Sequence, residues 1–153
     1  MDHSRKAVEL FLNGSNCAQA VAVAFCDVTG MDETMAAKLS SSFGGGMGRM
    51  REVCGAVSGM LMVLGQLYGY DDPGEKDCNK KEHYKLVQEL AGQFREEIGS
   101  IICREILKNP PADPNPTPRT EEFYKSRPCV RMVMTAARIL DAYIEAHPVE
   151  QEA

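Results

Sequence analysis

The sequence predicts an all-α protein: a single-domain compact bundle of about six helices, with a glycine-rich loop and a proline-rich connection. Apolar residues recur at helical spacing along the chain, and no segment shows the strict alternation of a half-buried strand. Glycine and proline clusters separate the periodic segments at the points where helices are expected to end. The length of 153 residues fits one domain. We therefore expect residues 1–153 to share one hydrophobic core.

The first three predicted helices each begin at a residue that can cap a helix N-terminus. The first covers about Ser4–Leu12, with Ser4 as the candidate N-cap. The second covers about Cys17–Val28 after Asn16, and its nearly unbroken apolar and alanine content predicts deep burial. The third covers about Glu33–Ser42 after Asp32.

A glycine-rich segment follows, FGGGMGRM at residues 43–50. Four of five consecutive positions are glycine, which is unfavourable in a helix interior, so the segment is predicted to be a loop. The fourth helix then covers about Val53–Tyr68 and ends at Gly69. The stretch 53–70 is uncharged, but glycines, a serine and a glutamine dilute it. We therefore expect the central helix of a bundle rather than a membrane insertion.

The C-terminal half is predicted to contain a charged helix, a short helix, an irregular connection and a final helix. The charged helix covers about Glu75–Glu97, with apolar residues on one face. Gly99-Ser100 marks a break before a short helix at about Ile101–Leu107. Asn109–Arg127 holds five prolines, so it is predicted to be extended or irregular. The last helix covers about Pro128–Ala146, with the proline at its first position.

Composition excludes several functions and leaves the cysteines unexplained. Seventeen basic residues against 22 acidic ones give a net charge of −5, so we expect no nucleic-acid partner. A chain of this length buries about 68–70% of its surface on folding and needs no metal or disulfide to stay folded. The N-terminal residues show no apolar signal segment, so the expected compartment is the cytoplasm. In that reducing compartment, cysteines more often bind metals or carry redox chemistry than stabilise a fold.

The six cysteines are widely separated along the sequence. No C-x-x-C pair occurs, which argues against a thioredoxin motif, a zinc ribbon and a ferredoxin-type run. Four of them fall at or near predicted helix starts: Cys17, Cys54, Cys103 and Cys129. Backbone N–H groups and the positive end of the helix dipole stabilise a thiolate there, so we expect lowered pKa values and raised reactivity. Cys26, inside an apolar helix, and Cys78, in a charged segment, are expected to be structural or incidental.

These residues carry a resemblance to a known family. Three features resemble the C-GCAxxG-C-C family of redox-active bacterial proteins: NCAQAV at residues 16–21, FGGGMGRMREVCGAVSG with its C-G-A-x-x-G at residues 54–59, and the later cysteines in C-R-E at residues 103–105 and at position 129. The resemblance spans about residues 15–137, which is most of the chain. It implies that the four cysteines near helix starts are the family's signature cysteines and that the other two lie outside the pattern.

Three functions remain as alternatives. In the first, the chain is an oxidoreductase-associated thiol redox protein, in which Cys17 and Cys54 cycle with Cys103 and Cys129 between dithiol and disulfide. Its partner would be a redox partner protein or a small thiol, and a Cys17–Cys54 bridge would be worth about 4 kcal/mol in the chain-entropy model. In the second, the same four thiolates hold zinc or an iron–sulfur cluster as a cofactor. In the third, the cysteines are inert core and the chain is a structural or interaction protein.

The glycine-rich loop is also a candidate anion-binding site. The residues concerned are Gly44, Gly45, Gly46, Gly48 and Arg49. Backbone N–H groups of such a loop can hold an anion, and Arg49 with Arg51 would supply charge. The spacing matches neither a P-loop nor a dinucleotide fingerprint. We favour a structural interpretation, in which the glycines let the loop pass close to neighbouring helices and to Cys54.

Overall fold

The computed structural model describes residues 2–72, 74 and 79–149, and its regular secondary structure is helical. We number the regular α-helices α1 His3–Leu12, α2 Cys17–Ala24, α3 Cys26–Thr29, α4 Glu33–Ser40, α5 Gly55–Tyr68, α6 Lys80–Ile98, α7 Cys103–Ile106, α8 Glu121–Ser126 and α9 Cys129–Ala146. A 3-10 turn at Ser41–Phe43 and a helical turn at Gly44–Met47 lie between α4 and α5, and the second is irregular because Gly45 and Gly46 have positive φ angles. Within the described residues there is no strand, and Val53 and Ile102 form an isolated antiparallel bridge. The predicted all-α fold class is confirmed.

The described residues contain more helices than the predicted bundle of about six. The second predicted helix breaks at Phe25, whose φ of −100° and ψ of 12° separate α2 from α3. The proline-rich connection contains one helix, α8, at whose start the Thr120 hydroxyl accepts the amide hydrogen of Phe123. This local cap allows a helix in a segment whose proline content predicted none.

Capping side chains position the starts of the N-terminal helices. Asn16 caps α2 in a reciprocal capping box, and the Asp32 carboxylate accepts the amide hydrogen of Met35 at α4. At α1 the prediction was wrong, because the cap is the Asp2 carboxylate, which accepts the amide hydrogen of Ser4. The α2 cap matters most for the site, since it makes the following cysteine the first residue of the helix.

The core lies between α2, α5 and α9, with α1 and α6 packed around them. Its large, fully buried side chains include Phe25, Met60, Leu64, Phe94 and Leu140. α5 is as apolar as predicted and occupies the middle of the bundle. Among the described residues, no helix is both long and apolar enough to cross a membrane.

α5 approaches α2 closely because glycines lie at the contact. A Cβ atom on Gly59 would lie 2.6 Å from the carbonyl oxygen of Ala18, and one on Gly55 would lie 3.2 Å from the Cβ of Cys17. A larger residue at Gly59 would therefore push the two helices apart. This close approach brings the N-terminus of α5 against that of α2.

The C-terminal helices α6 and α9 each bury one apolar stripe. The buried stripe of α6 includes Leu86, Leu90 and Phe94, which lie on the predicted face. The predicted start of this helix, residues 75–78, lies outside the described residues. α9 begins at Cys129, and Pro128 is its N-cap rather than its first residue.

Candidate functional site

The four cysteines near helix starts come together in the structure. Cys17, Cys103 and Cys129 are the first residues of α2, α7 and α9, and Cys54 is the N-cap of α5. All four line a cavity of about 30 Å³, which we call the cysteine cavity. Cys54 and Cys103 are buried, whereas Cys17 and Cys129 are partly exposed. Four residues distant in sequence therefore form one cluster, with an inner and an outer pair.

The glycine-rich loop closes the cysteine cavity. Gly46 has a φ of +71°, and a Cβ atom there would lie 2.7 Å from the Cβ of Cys103. The amide of Glu52 donates to the carbonyl of Gly46 at 2.9 Å, and the amide of Cys103 donates to the carbonyl of Glu52 at 2.6 Å. The amide of Cys54 donates to the carbonyl of Ile101 at 2.7 Å. These hydrogen bonds hold the inner pair on facing backbone segments.

In the outer pair, hydrogen bonding between the thiols of Cys17 and Cys129 shifts the pKa of each group. This contact lowers the pKa of Cys129 to about 7, against the effect of burial. The positive charges of Arg127, Arg119 and Arg51 lower it further. The same hydrogen bond, together with burial, raises the pKa of Cys17 well above its ordinary value. The first proton of the pair therefore leaves near neutral pH and the second is retained.

The inner pair has raised pKa values. Burial raises the pKa of Cys54 to about 12, although the backbone N–H groups of Ala56 and Val57 at the start of α5 act in the opposite direction. Burial also raises the pKa of Cys103, and the neighbouring Arg51 guanidinium opposes this rise. Both thiols are therefore neutral at physiological pH.

The expectation that a helix start lowers the pKa of all four thiols is wrong for Cys17, Cys54 and Cys103. A rise from 9 to about 12, as at Cys54, corresponds to roughly 4 kcal/mol. A helix terminus supplies only about 0.3–2 kcal/mol. Desolvation therefore outweighs the helix dipole at Cys54, and only Cys129 has the lowered pKa that the sequence predicted.

Cys26 lies outside the cluster. Cys26 lies in a separate buried group with Val23 and Ala36, and its thiol faces the carbonyl of Ala22 at 3.8 Å. This placement agrees with the structural role expected for it. Cys78, expected to be structural or incidental, lies outside the described residues.

A second cavity, of about 220 Å³, opens beside the outer pair, and we call it the arginine cavity. Its walls include the sulfur-bearing Cys17 and Cys129 and four basic residues: Arg49, Arg51, Arg119 and Arg127. Arg51 is 5% exposed and reaches the cysteine cavity as well, with its Nη1 3.8 Å from the Cys103 sulfur. The sequence did not single out Arg119 and Arg127, because isolated basic residues in an irregular connection form no recognisable motif.

The candidate anion-loop residues are divided between the two cavities. Gly44, Gly45 and Arg49 line the arginine cavity, and Gly45 and Gly46 line the cysteine cavity. Gly48 lines neither. The favoured structural interpretation of the glycines agrees with the short distances at Gly46, and the arginines add the charge that an anion site needs.

A metal site requires several ligand side chains grouped around one point. In the part of the chain that the structure describes, no three His, Cys, Asp or Glu side chains are grouped so that they could hold a metal ion. A zinc or iron–sulfur site built on the protein alone needs four such ligands.

The fold and the site together define a helical protein with four converging cysteines. The model of the C-GCAxxG-C-C family, whose description is "putative redox-active protein", matches residues 15–143. The chain therefore belongs to this family, as its sequence motifs predicted. No curated protein and no solved structure matches the chain.

Proposed function

We propose that this protein is a thiol–disulfide redox protein and that Cys17 and Cys129 are its reactive pair. The observation that supports this most directly is that Cys17 and Cys129 line the same two cavities, where the interaction between their thiols lowers the pKa of Cys129 to about 7. Both residues are partly exposed and line the arginine cavity, so a substrate in that cavity would lie beside them. Membership of a family described as redox-active supports the general class.

The first step is attack by the Cys129 thiolate on one sulfur of a substrate disulfide. A new S–S bond joins Cys129 to that sulfur, and the other substrate sulfur leaves as a thiolate. A thiol with a pKa near ambient pH is the best attacking group, because it is both ionised and nucleophilic. Cys129, with a pKa of about 7, meets this condition, whereas Cys54, with a pKa of about 12, does not.

The second step is attack by Cys17 on the sulfur of Cys129. The largest cause of the raised pKa of Cys17 is its hydrogen bond to Cys129, and this cause disappears once Cys129 is in the mixed disulfide. Arg119 lowers the pKa of Cys17, so its proton can leave to solvent. The second substrate thiolate is expelled. One substrate disulfide has then gained two electrons, and a Cys17–Cys129 disulfide has formed.

The inner pair takes part only after the outer pair. Cys54 and Cys103 each interact electrostatically with Cys129, but both are buried and neutral. We propose that they react more slowly, by thiol–disulfide exchange with the oxidised outer pair. This exchange transfers the disulfide from Cys17 and Cys129 to Cys54 and Cys103. The partner that restores the reduced form is a redox protein or a small thiol.

Alkylation of the fully reduced protein tests the assignment of the pair. A short iodoacetamide pulse at pH 7, followed by peptide mass spectrometry, should label Cys129 first. Cys26 should react slowly, because its thiol is buried and its pKa is raised by burial. Equal labelling of Cys129 and Cys26 would contradict the proposal.

Single cysteine variants test the sequence of steps. Cys129→Ser should abolish reduction of a disulfide substrate. Cys17→Ser should stop at the mixed disulfide, which mass spectrometry detects as an added half-substrate. Cys26→Ser is the matched control and should react like the unmodified protein. Substrate reduction by Cys129→Ser at the unmodified rate would exclude Cys129 as the attacking thiol.

A further inference from the structure

The arginine cavity concentrates positive charge in an acidic protein. Four arginines line it, no aspartate or glutamate lines it, and the chain as a whole carries a net charge of −5. Within the described residues, none of the four arginines forms a salt bridge. Asp113, which interacts electrostatically with Arg49, neither pairs with it nor lines the cavity. The cavity therefore has a local charge opposite in sign to that of the protein.

Neutral groups hold the guanidinium groups in place. Arg51 donates to the carbonyl of Pro111 at 3.0 Å. Arg119 donates to two backbone carbonyls at 3.2 Å and lies over the ring of Phe11 at 4.5 Å. Arg49 donates from Nη1 to the hydroxyl of Thr117 at 3.0 Å, and its buried Nε has no hydrogen-bond partner. Contacts of this kind orient the charges without neutralising them, which is what a site for an anion requires.

The size of the cavity restricts the anion to a small molecule. A volume of about 220 Å³ lies below the range of roughly 300–1,000 Å³ that is usual for drug-sized ligands. A folded protein cannot enter it. Cys17 and Cys129 lie in the same wall as the arginines, so a bound anion would lie beside the outer pair.

We propose that the arginine cavity binds a low-molecular-weight disulfide that carries carboxylate groups, and that Cys129 and Cys17 reduce it to two thiols. This inference rests on the proposed function. The Cys129 thiolate and the Cys17 thiol react with R–S–S–R to give the Cys17–Cys129 disulfide, one R–S⁻ and one R–SH. The substrate is the oxidant, and two electrons pass to it. The arginines bind its carboxylates and stabilise the departing thiolate.

Three small disulfides of similar length but different charge test the proposal. Dithiodipropionate is dianionic, hydroxyethyl disulfide is neutral and cystamine is cationic. The rate at which the protein reduces each disulfide is measured and divided by the rate at which a simple thiol reduces the same disulfide. This ratio removes the differences in intrinsic reactivity among the three compounds. We expect the dianion to react at least about tenfold faster than the neutral compound on this scale, with cystamine slowest, because the arginines attract the anion. The preference should weaken as salt is added.

Arg49→Gln separates binding from thiol activation. The charges that lower the pKa of Cys129 most are those of Arg127, Arg119 and Arg51, so removal of Arg49 should act mainly on the substrate. The rate with dithiodipropionate should fall about tenfold more than the rate with hydroxyethyl disulfide, as for the loss of one charge-assisted hydrogen bond to the dianion. Arg131→Gln, an exposed arginine of α9 that donates to the Glu97 carbonyl, is the matched control and should change neither rate.

The outcomes distinguish the two proposals. If the unmodified protein reduces none of the three disulfides, the proposed function fails. If it reduces all three at the same relative rate, the inference about the arginine cavity fails and the proposed function stands. Thiodipropionate, the unreactive thioether analogue, should slow alkylation of Cys129 in the unmodified protein and not in Arg49→Gln. The absence of this protection would overturn the binding site itself.

Discussion

Cys17 and Cys129, the first residues of α2 and α9, line both the cysteine cavity and the arginine cavity, and the interaction between their thiols lowers the pKa of Cys129 to about 7. The two residues lie near opposite ends of the sequence, so the contact depends on the packing of the whole bundle. The contact gives two chemically identical thiols different pKa values, because Cys129 ionises near neutral pH whereas Cys17 retains its proton. In a C-x-x-C motif the two thiols are neighbours within one helical turn. In this protein the tertiary structure brings them together.

The reactivity of Cys129 should follow pH with a midpoint near 7. Below this pH the sulfur is a thiol and reacts slowly, and above it the sulfur is a thiolate and reacts fast. The measurement is the rate of iodoacetamide labelling of Cys129 between pH 5 and 9, a range that flanks the pKa of about 7. A midpoint above the ordinary thiol value of about 8.5 would contradict the assignment.

Cys17→Ala should raise the midpoint for Cys129. The hydrogen bond from Cys17 is the largest cause of the low pKa, and the opposing effect of burial remains after its removal. The expected shift is upward by about one unit or more, which corresponds to about 1.4 kcal/mol. Cys26→Ala, in its separate buried group, is the control and should leave the midpoint unchanged. An unchanged midpoint in Cys17→Ala would show that the arginines alone lower the pKa.

Oxidation of the outer pair should stabilise the protein. A Cys17–Cys129 bridge closes most of the chain into one loop, and the chain-entropy model gives about 4.7 kcal/mol for a loop of roughly 100 residues. Native strain commonly reduces such gains, so we expect about 2–4 kcal/mol. Urea unfolding of the oxidised protein and of the protein kept reduced by a phosphine measures the difference. In Cys17→Ser the two curves should coincide, and a difference there would point to another bridge.

Two glycines of α5 should respond to alanine in opposite directions. At Gly59 a Cβ atom would lie 2.6 Å from the carbonyl oxygen of Ala18, whereas at Gly65 it would meet nothing within 4 Å. Gly65→Ala should stabilise by about 0.5–1 kcal/mol, the ordinary gain for alanine in a helix. Gly59→Ala should destabilise by about 1–3 kcal/mol, as expected of overpacking. Thermal unfolding of the two variants provides the comparison, and equal shifts would refute the close approach of α2 and α5.

Most helices were predictable because their signals are local. Asn16 and Asp32 cap α2 and α4 through hydrogen bonds that span only a few residues, so the sequence shows them directly. The break at Phe25 was not predictable, because it interrupts a segment whose composition is helical throughout. The helix α8 was missed for the opposite reason, since the Thr120 cap lies among prolines that dominated the pattern.

The sequence alone singled out the four cysteines that lie at helix starts, because capping residues, glycine and proline are visible in one dimension. Only the folded bundle decided how they differ. Desolvation raises the pKa of Cys54 and Cys103, whereas a neighbouring thiol and three arginines lower that of Cys129. Burial and charge depend on residues that are distant along the chain, and Arg119 became part of the site only when its connection folded over α1.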